Sequence, residues 1–142
     1  MISLRPTMDM LASATITFDN MRPYYDHYSV DWELITICNQ ISDLNNWDIL
    51  DDKKCIGAVR LAFDDDGCYL RDFQVRNEYQ NRGIGTIVLK EIKQLALTKG
   101  ASYLRLRVFK ISPAYQLYMR NGFRVSSEDE RFYYMSQSLI NS

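Results

Sequence analysis

The sequence predicts an α/β fold of the α+β kind, with a mixed central sheet of six to seven strands and about four helices on its two faces. Three observations carry this. Runs of β-like alternation cluster between Asn45 and Arg76. A helical stripe over Gly83–Lys99 follows and leads into another alternating run at Tyr103–Phe109, and a short helix with a last pair of strands closes the chain. Strands on either side of a crossover helix make a mixed sheet with covered faces. At 142 residues the chain has the size of one ordinary domain, and residues 1–142 are read as one.

Taken in order, Ile2–Arg5 reads as a short strand ended by Pro6, after which Thr7 or Asp9 caps a helix toward Asn20. Met21-Arg22-Pro23 interrupts that helix. From Pro23, the residues Tyr24, Tyr25, Tyr28, Trp32, Ile35, Cys38 and Ile41 recur at helical spacing, predicting a second helix with a break near Ser29. Trp47, Ile49, Ile56, Ala58, Val59 and Leu61 fall in two β-like runs split by the polar turn Asp51–Lys54, which is a hairpin. The acidic turn Asp64-Asp65-Asp66-Gly67 leads into a third strand, Cys68–Arg76, and lacks the terminal Glu of a calcium loop.

The apolar residues Ile84, Val88, Ile92 and Leu95 form one stripe, with Gly100 placed to end the helix. Leu104, Leu106 and Val108 alternate with Arg105 and Arg107, so Tyr103–Phe109 is a strand whose neighbour before the helix is Cys68–Arg76, a strand-helix-strand unit. Ser112-Pro113 opens a short helix that Asn121-Gly122 stops, and Phe123–Ser127 and Arg131–Ser138 finish the sheet.

Composition narrows the function. The chain is 46% hydrophobic and 25% charged, with net charge -1, which is a folded globular composition without a basic footprint for nucleic acid. Cys38, Cys55 and Cys68 show no metal-ligand or disulfide spacing, so a reduced cytoplasm and no metal are expected. The N-terminus has no signal-peptide pattern and no apolar run approaches a membrane span.

The chemistry sits in Gln80-Asn81-Arg82-Gly83-Ile84-Gly85, between a strand and a helix. Two glycines at a helix N-terminus free several backbone N–H groups to hold a phosphate or pyrophosphate, helped by the helix dipole. Alone, the pattern is equally a tight turn without a ligand. A dinucleotide-binding loop would need a small residue where Val88 stands and an acidic one where Leu104-Arg105 stand, and no Lys-Ser or Lys-Thr of a P-loop follows the glycines.

The run Gln80-x-x-Gly83-x-Gly85 matches in full the Gln/Arg-x-x-Gly-x-Gly/Ala signature of the GNAT superfamily of acetyl-CoA-dependent N-acetyltransferases. From about Leu70 to Phe123 the chain resembles that superfamily: the strand Leu70–Val75, the turn Asn77–Gln80, the strand Leu104–Val108 and the ending Pro113-Ala114-x-x-Leu117-Tyr118-x-x-x-Gly122-Phe123 stand in its usual order. Met21–Tyr25 and Asp31-Trp32 are similar to some bacterial members. The resemblance implies that the backbone of Phe73-Gln74-Val75 pairs with the pantetheine arm of acetyl-CoA. It further implies that the amides of Gln80, Asn81, Arg82, Gly83, Ile84, Gly85 and Thr86 hold the pyrophosphate, in a cleft between splayed strands ending at Val75 and Val108. Ser112 stands where many relatives have an Asn that contacts the cofactor. Tyr118 is implied as the acid that protonates the departing thiolate, against a purely structural place in the core.

Direct attack by an amine on the thioester needs no covalent enzyme intermediate, and the scattered cysteines recommend none. Several residues are open as the base: Asp72 is the first choice, set against a structural ion pair, and Glu78, Glu33, Asp26 and His27 remain candidates. Tyr24, Tyr25, Tyr28 and Trp32 are assigned to packing, and at most one of Tyr133 and Tyr134 faces an acceptor. The expected partner is an amine, a small molecule or a protein or peptide amine, without nucleic acid or membrane and with a homodimer open. A non-catalytic acyl-CoA-binding module is the rival reading.

Overall fold

A computed structural model describes residues 1–65 and 67–140; Asp66, part of the expected acidic turn, lies outside the described residues. The elements are β1 (Ile2–Pro6), α1 (Met10–His27), α2 (Leu34–Ile41), β2 (Asn45–Asp51), β3 (Lys54–Asp64), β4 (Gly67–Val75), a 3-10 turn at Asn77–Tyr79, α3 (Ile84–Thr98), β5 (Tyr103–Phe109), α4 (Ala114–Arg120), β6 (Arg124–Glu128) and β7 (Phe132–Ser138). The seven strands run in the order β1-β2-β3-β4-β5-β7-β6. β4 and β5 are parallel, from Cys68↔Leu104 to Leu70↔Leu106, as a helical crossover requires. The β1–β2, β5–β7 and β6–β7 pairs are antiparallel, so the sheet is mixed as expected.

The chain divides into two compact units, residues 1–60 with 72–84 and residues 61–71 with 85–142. In the first, Asp9 caps α1 by accepting the Ala12 N–H at 3.0 Å, worth about 1 kcal/mol. The interruption expected at Met21-Arg22-Pro23 does not occur: α1 runs through Pro23 to His27. A proline inside a helix forfeits one hydrogen bond and costs about 3 kcal/mol. Pro23 is exposed, and two residues on Tyr25 stacks on Trp32 with ring centroids 4.9 Å apart. Tyr25, Trp32 and Leu34 pack on the buried cluster of Ala14, Ile37 and Ile41, and this packing offsets the loss.

The break expected near Ser29 does occur, and the φ of Ser29, 55°, is left-handed. There Val30 N–H bonds the Tyr25 carbonyl at 2.8 Å and Ser29 N–H that of Asp26 at 3.3 Å, the paired bonds of a Schellman stop. The expected second helix is divided by this stop: Tyr24 and Tyr25 complete α1, Ile35, Cys38 and Ile41 lie on α2, and Tyr25 and Trp32 stand on opposite sides of the stop.

In the second unit α3 buries Val88, Leu89, Ile92 and Ala96, while Leu95 of the expected stripe is only half-buried. β5 buries Leu104, Leu106 and Val108 on one face, with Phe123 and Met135 also fully buried. Of the acidic turn, Asp64 accepts two bonds from Arg105 Nη2 at 2.7 and 2.8 Å. Among the described residues no helix is long and apolar enough to cross a membrane.

Candidate active site

The first unit contains the end of β4 and the loop to Ile84. Phe73, Gln74 and Val75 are half-buried there, and the 3-10 turn carries the chain into Gln80. Asn81 and Gly83 take left-handed φ values of 62° and 78°, so the loop reverses twice before α3 begins. Left-handed residues ahead of a helix turn successive N–H groups to one side, a concavity suited to an anion. Ile84 is buried, Thr86 half-buried, and Arg82 lies exposed with its guanidinium 5.4 Å from the centre of the Tyr79 ring.

The two glycines serve different ends. A Cβ on Gly83 would meet nothing within 4 Å, so its left-handed backbone, and not space, calls for glycine. A Cβ on Gly85 would lie 2.8 Å from Leu117 Cδ2, so this glycine makes room for α4. At Gly85 the absence of a side chain also serves helix packing.

Gln80 uses its side chain inside the loop. Its Nε2 donates to the Val75 carbonyl at 2.9 Å and to Asn77 Oδ1 at 3.1 Å. From α1, Asn20 Nδ2 donates to the same Val75 carbonyl at 2.8 Å and to Gln74 Oε1 at 3.2 Å.

Beneath this lies a residue that the sequence reading missed. Arg60, in β3, has 0% of its surface exposed. All five of its guanidinium N–H groups find acceptors: Asp72 Oδ2 (3.2 Å), Ser13 Oγ (2.7 Å), Asn46 Oδ1 (3.0 Å), the Ser13 carbonyl (2.9 Å) and Thr17 Oγ1 (2.9 Å). A buried charge persists only when paired and fully bonded, and this one is both. Asp72, the first-choice base, accepts from Arg60, from Thr17 Oγ1 at 2.6 Å and from Gln74 Nε2 at 2.7 Å. A lone Arg inside the apolar run Ile56–Leu61 was the signal available in the sequence.

The second unit contains Tyr118 and Ser112. Tyr118, on α4, is 7% exposed, its ring edge-on to Phe123 at 5.6 Å. Ser112 Oγ accepts the Ala114 N–H at 3.1 Å, so the hydroxyl caps the first turn of α4. Tyr133 lies against Tyr115 with centroids 4.7 Å apart, and the Tyr134 hydroxyl donates to Asp129 Oδ2 at 2.7 Å. That bond pulls the Asp129 carboxyl below its ordinary value and raises the Tyr134 phenol. The other base candidates are all exposed: Asp26, Glu33 at the start of α2, Glu78 in the 3-10 turn, and His27, edge-on to Tyr28 at 4.8 Å. Among the described residues no group of acidic, His or Cys side chains is arranged to hold a metal.

Comparison with known proteins points one way. The chain matches the model of the Acetyltransferase (GNAT) family over residues 9–123. It is 40% identical over 63 residues to thialysine N-epsilon-acetyltransferase of Bos taurus, a match that covers 44% of this chain and 37% of that protein. The chain thus spans well under half the length of that relative. Among solved structures, it is similar to the PaiA N-acetyltransferase of Thermoplasma acidophilum in complex with coenzyme A, with a TM-score of 0.72, 22% identity, and coverage of 97% of this chain and 99% of that one. It is also similar to the ribosomal-protein-S18-alanine N-acetyltransferase of Escherichia coli, with a TM-score of 0.76, 17% identity, and coverage of 100% and 96%. At these identities the structural likeness speaks for the fold.

Proposed function

The chain belongs to the GNAT acetyltransferase family, and from that premise we propose that it is an N-acetyltransferase moving the acetyl group of acetyl-CoA directly onto a primary amine. The observation that carries the reading is the loop Gln80–Thr86, with left-handed Asn81 and Gly83 leading into α3. In this reading the N–H groups of Gln80, Asn81, Arg82, Gly83, Ile84, Gly85 and Thr86 neutralise the pyrophosphate. The backbone of Phe73, Gln74 and Val75 receives the pantetheine as an added strand, and Ser112 contributes through the α4 turn that it caps.

When bound, acetyl-CoA supplies the activated acyl group. A strand N–H near Val75 polarises the thioester oxygen, the amine nitrogen bonds to the carbonyl carbon, the C–S bond breaks, and the Tyr118 hydroxyl gives its proton to the departing thiolate. Asp72, in contact with Arg60 at 3.2 Å, is assigned the base; to accept a proton it exchanges one of the donors it now binds. The acceptor class is a small-molecule amine or a protein or peptide amine, and the relative's thialysine is one amine to try. Residues 1–142 act as one domain in this reading, since the family match runs through both compact units. Three free cysteines support a reducing cytoplasm, and a homodimer is tested by sedimentation.

Calorimetric titration with acetyl-CoA, followed by thiol release against a panel of amines and peptide N-termini, tests the proposal. Binding with release is expected. Binding without release from any amine leaves a non-catalytic acyl-CoA-binding module, and no binding overturns the reading.

A further inference from the structure

We propose that Asn20 is a positioning residue of the cofactor site: with Gln80 it saturates the Val75 carbonyl, so that Val75 meets a ligand through its N–H alone. The inference rests on the acetyltransferase reading and deepens it. A carbonyl oxygen has two lone pairs, and both are directed at side-chain donors here, Asn20 Nδ2 at 2.8 Å and Gln80 Nε2 at 2.9 Å. A peptide-like arm laid along a strand ordinarily exchanges both N–H and C=O with alternate residues. At Val75 the acceptor half of that exchange is withdrawn, and the donor half is what remains for the pantetheine or the thioester oxygen.

The two donors come from different places, which makes the carbonyl a junction. Gln80 belongs to the phosphate-binding loop and Asn20 to α1, 55 residues from Val75 in sequence. Asn20 also donates to Gln74 Oε1, and the Gln74 amide in turn donates to Asp72 Oδ1 at 2.7 Å, so Gln74 is held at both ends. Asp72 closes on buried Arg60. A continuous side-chain chain therefore runs from a buried guanidinium through Asp72, Gln74, Asn20 and the Val75 carbonyl to Gln80. Through it α1 holds the end of β4 and the loop in one arrangement before cofactor arrives, which lowers the ordering cost of binding.

The test is calorimetric titration of coenzyme A into the full chain, wild type and variants, with steady-state kinetics alongside. Asn20→Asp keeps the shape of the side chain and replaces the donor by a carboxylate oxygen facing the carbonyl. It is expected to weaken coenzyme A binding about tenfold, in line with the loss of one hydrogen bond of about 1.4 kcal/mol. Gln80→Glu is expected to do the same, and the double variant to lose less than the product of the two, because both act on one oxygen. The KM for acetyl-CoA rises by more than kcat falls, whereas a role in stability alone would lower the melting temperature and leave the dissociation constant of the folded protein in place. If Asn20→Asp does not fold, Asn20→Ser, uncharged and too short to reach Val75, carries the same test. Wild type that fails to bind coenzyme A sinks the acetyltransferase reading and this proposal with it. Wild type that binds while an Asn20 variant binds equally tightly, or effects that multiply in full, overturn this proposal and leave that reading standing.

Discussion

Replacing Asp72 by Asn removes one charge and almost no volume, and it separates the two roles assigned to this residue. Arg60 would keep four of its five acceptors, from Ser13, Asn46 and Thr17, but lose the counter-charge at 3.2 Å. Removing one partner of a buried ion pair costs about 3–5 kcal/mol. The Asp72 side chain is 16% exposed and the remaining bonds persist, so the lower end applies, about 3 kcal/mol. Against a stability of about 5–15 kcal/mol, the variant stays folded but melts on the order of 10 °C lower. Urea unfolding should show a lower midpoint at unchanged slope. Combining it with Arg60→Met should restore part of the loss, since the unpaired buried charge is gone. A cost under 1 kcal/mol for Asp72→Asn, or a double variant worse than the sum of the singles, would refute the reasoning. In the folded variant, a base at Asp72 predicts a fall of about 10²–10⁴ in turnover; a fall under tenfold removes Asp72 from the chemistry and leaves the ion pair.

Three further outcomes are expected. Tyr118→Phe should lower turnover by about 10²-fold or more with little change in coenzyme A affinity; turnover unchanged across pH would end the general-acid role. Gly83→Ala meets no steric obstacle but forces a left-handed residue at a cost of about 1–2 kcal/mol, so calorimetry should show roughly tenfold weaker coenzyme A binding, whereas Gly85→Ala presses on Leu117 and should appear in urea unfolding as a loss of about 1–3 kcal/mol. Burial pushes the Cys68 thiol from 9.0 up to about 11, and because the folded value is the higher one, its stabilising contribution is complete below about pH 9 and is lost as pH rises through 11. At pH 8 on the order of one Cys68 in a thousand is thiolate, so iodoacetamide should label it only after unfolding, and labelling of the native protein would contradict the burial.

What the sequence made legible was local. The stripe of Val88 and Ile92 and the alternation of Leu104, Leu106 and Val108 each repeat within one element, and both elements stand where periodicity puts them. Pro23 shows the limit of a local rule. Its cost is fixed by the backbone, but the stacking of Tyr25 on Trp32 that offsets it is visible only once Ser29 has turned the chain. The glycines divide the same way: the left-handed backbone at Gly83 belongs to the loop itself, while the demand at Gly85 comes from Leu117, 32 positions on.

The candidate site was legible where it is made of backbone and hidden where it is made of side chains from several elements. The loop proposed to hold phosphate would supply its N–H groups from consecutive residues, so Gln80–Gly85 can be picked out as one stretch of sequence. Arg60 answers to partners 12 to 47 residues away and Asn20 to partners 54 and 55 away, one of them Gln74, and no spacing rule connects them. Yet a charge in an apolar strand is a question that the sequence does pose: Arg60 stands in a run whose neighbours on both faces, Ile56, Ala58, Val59 and Leu61, are fully buried, so neither face offers water. Its charge must then be met by an acid and by polar groups of the elements packed on it, and Asp72, Ser13 and Thr17 are what meet it. The same network that satisfies Arg60 also fixes the side chains around Val75, so the stability of the fold and the arrangement of the strand proposed to receive the cofactor depend on shared bonds. Substitutions at Arg60 are therefore expected to alter coenzyme A affinity as well as stability, although Arg60 lies two side chains away from the Val75 carbonyl's donors.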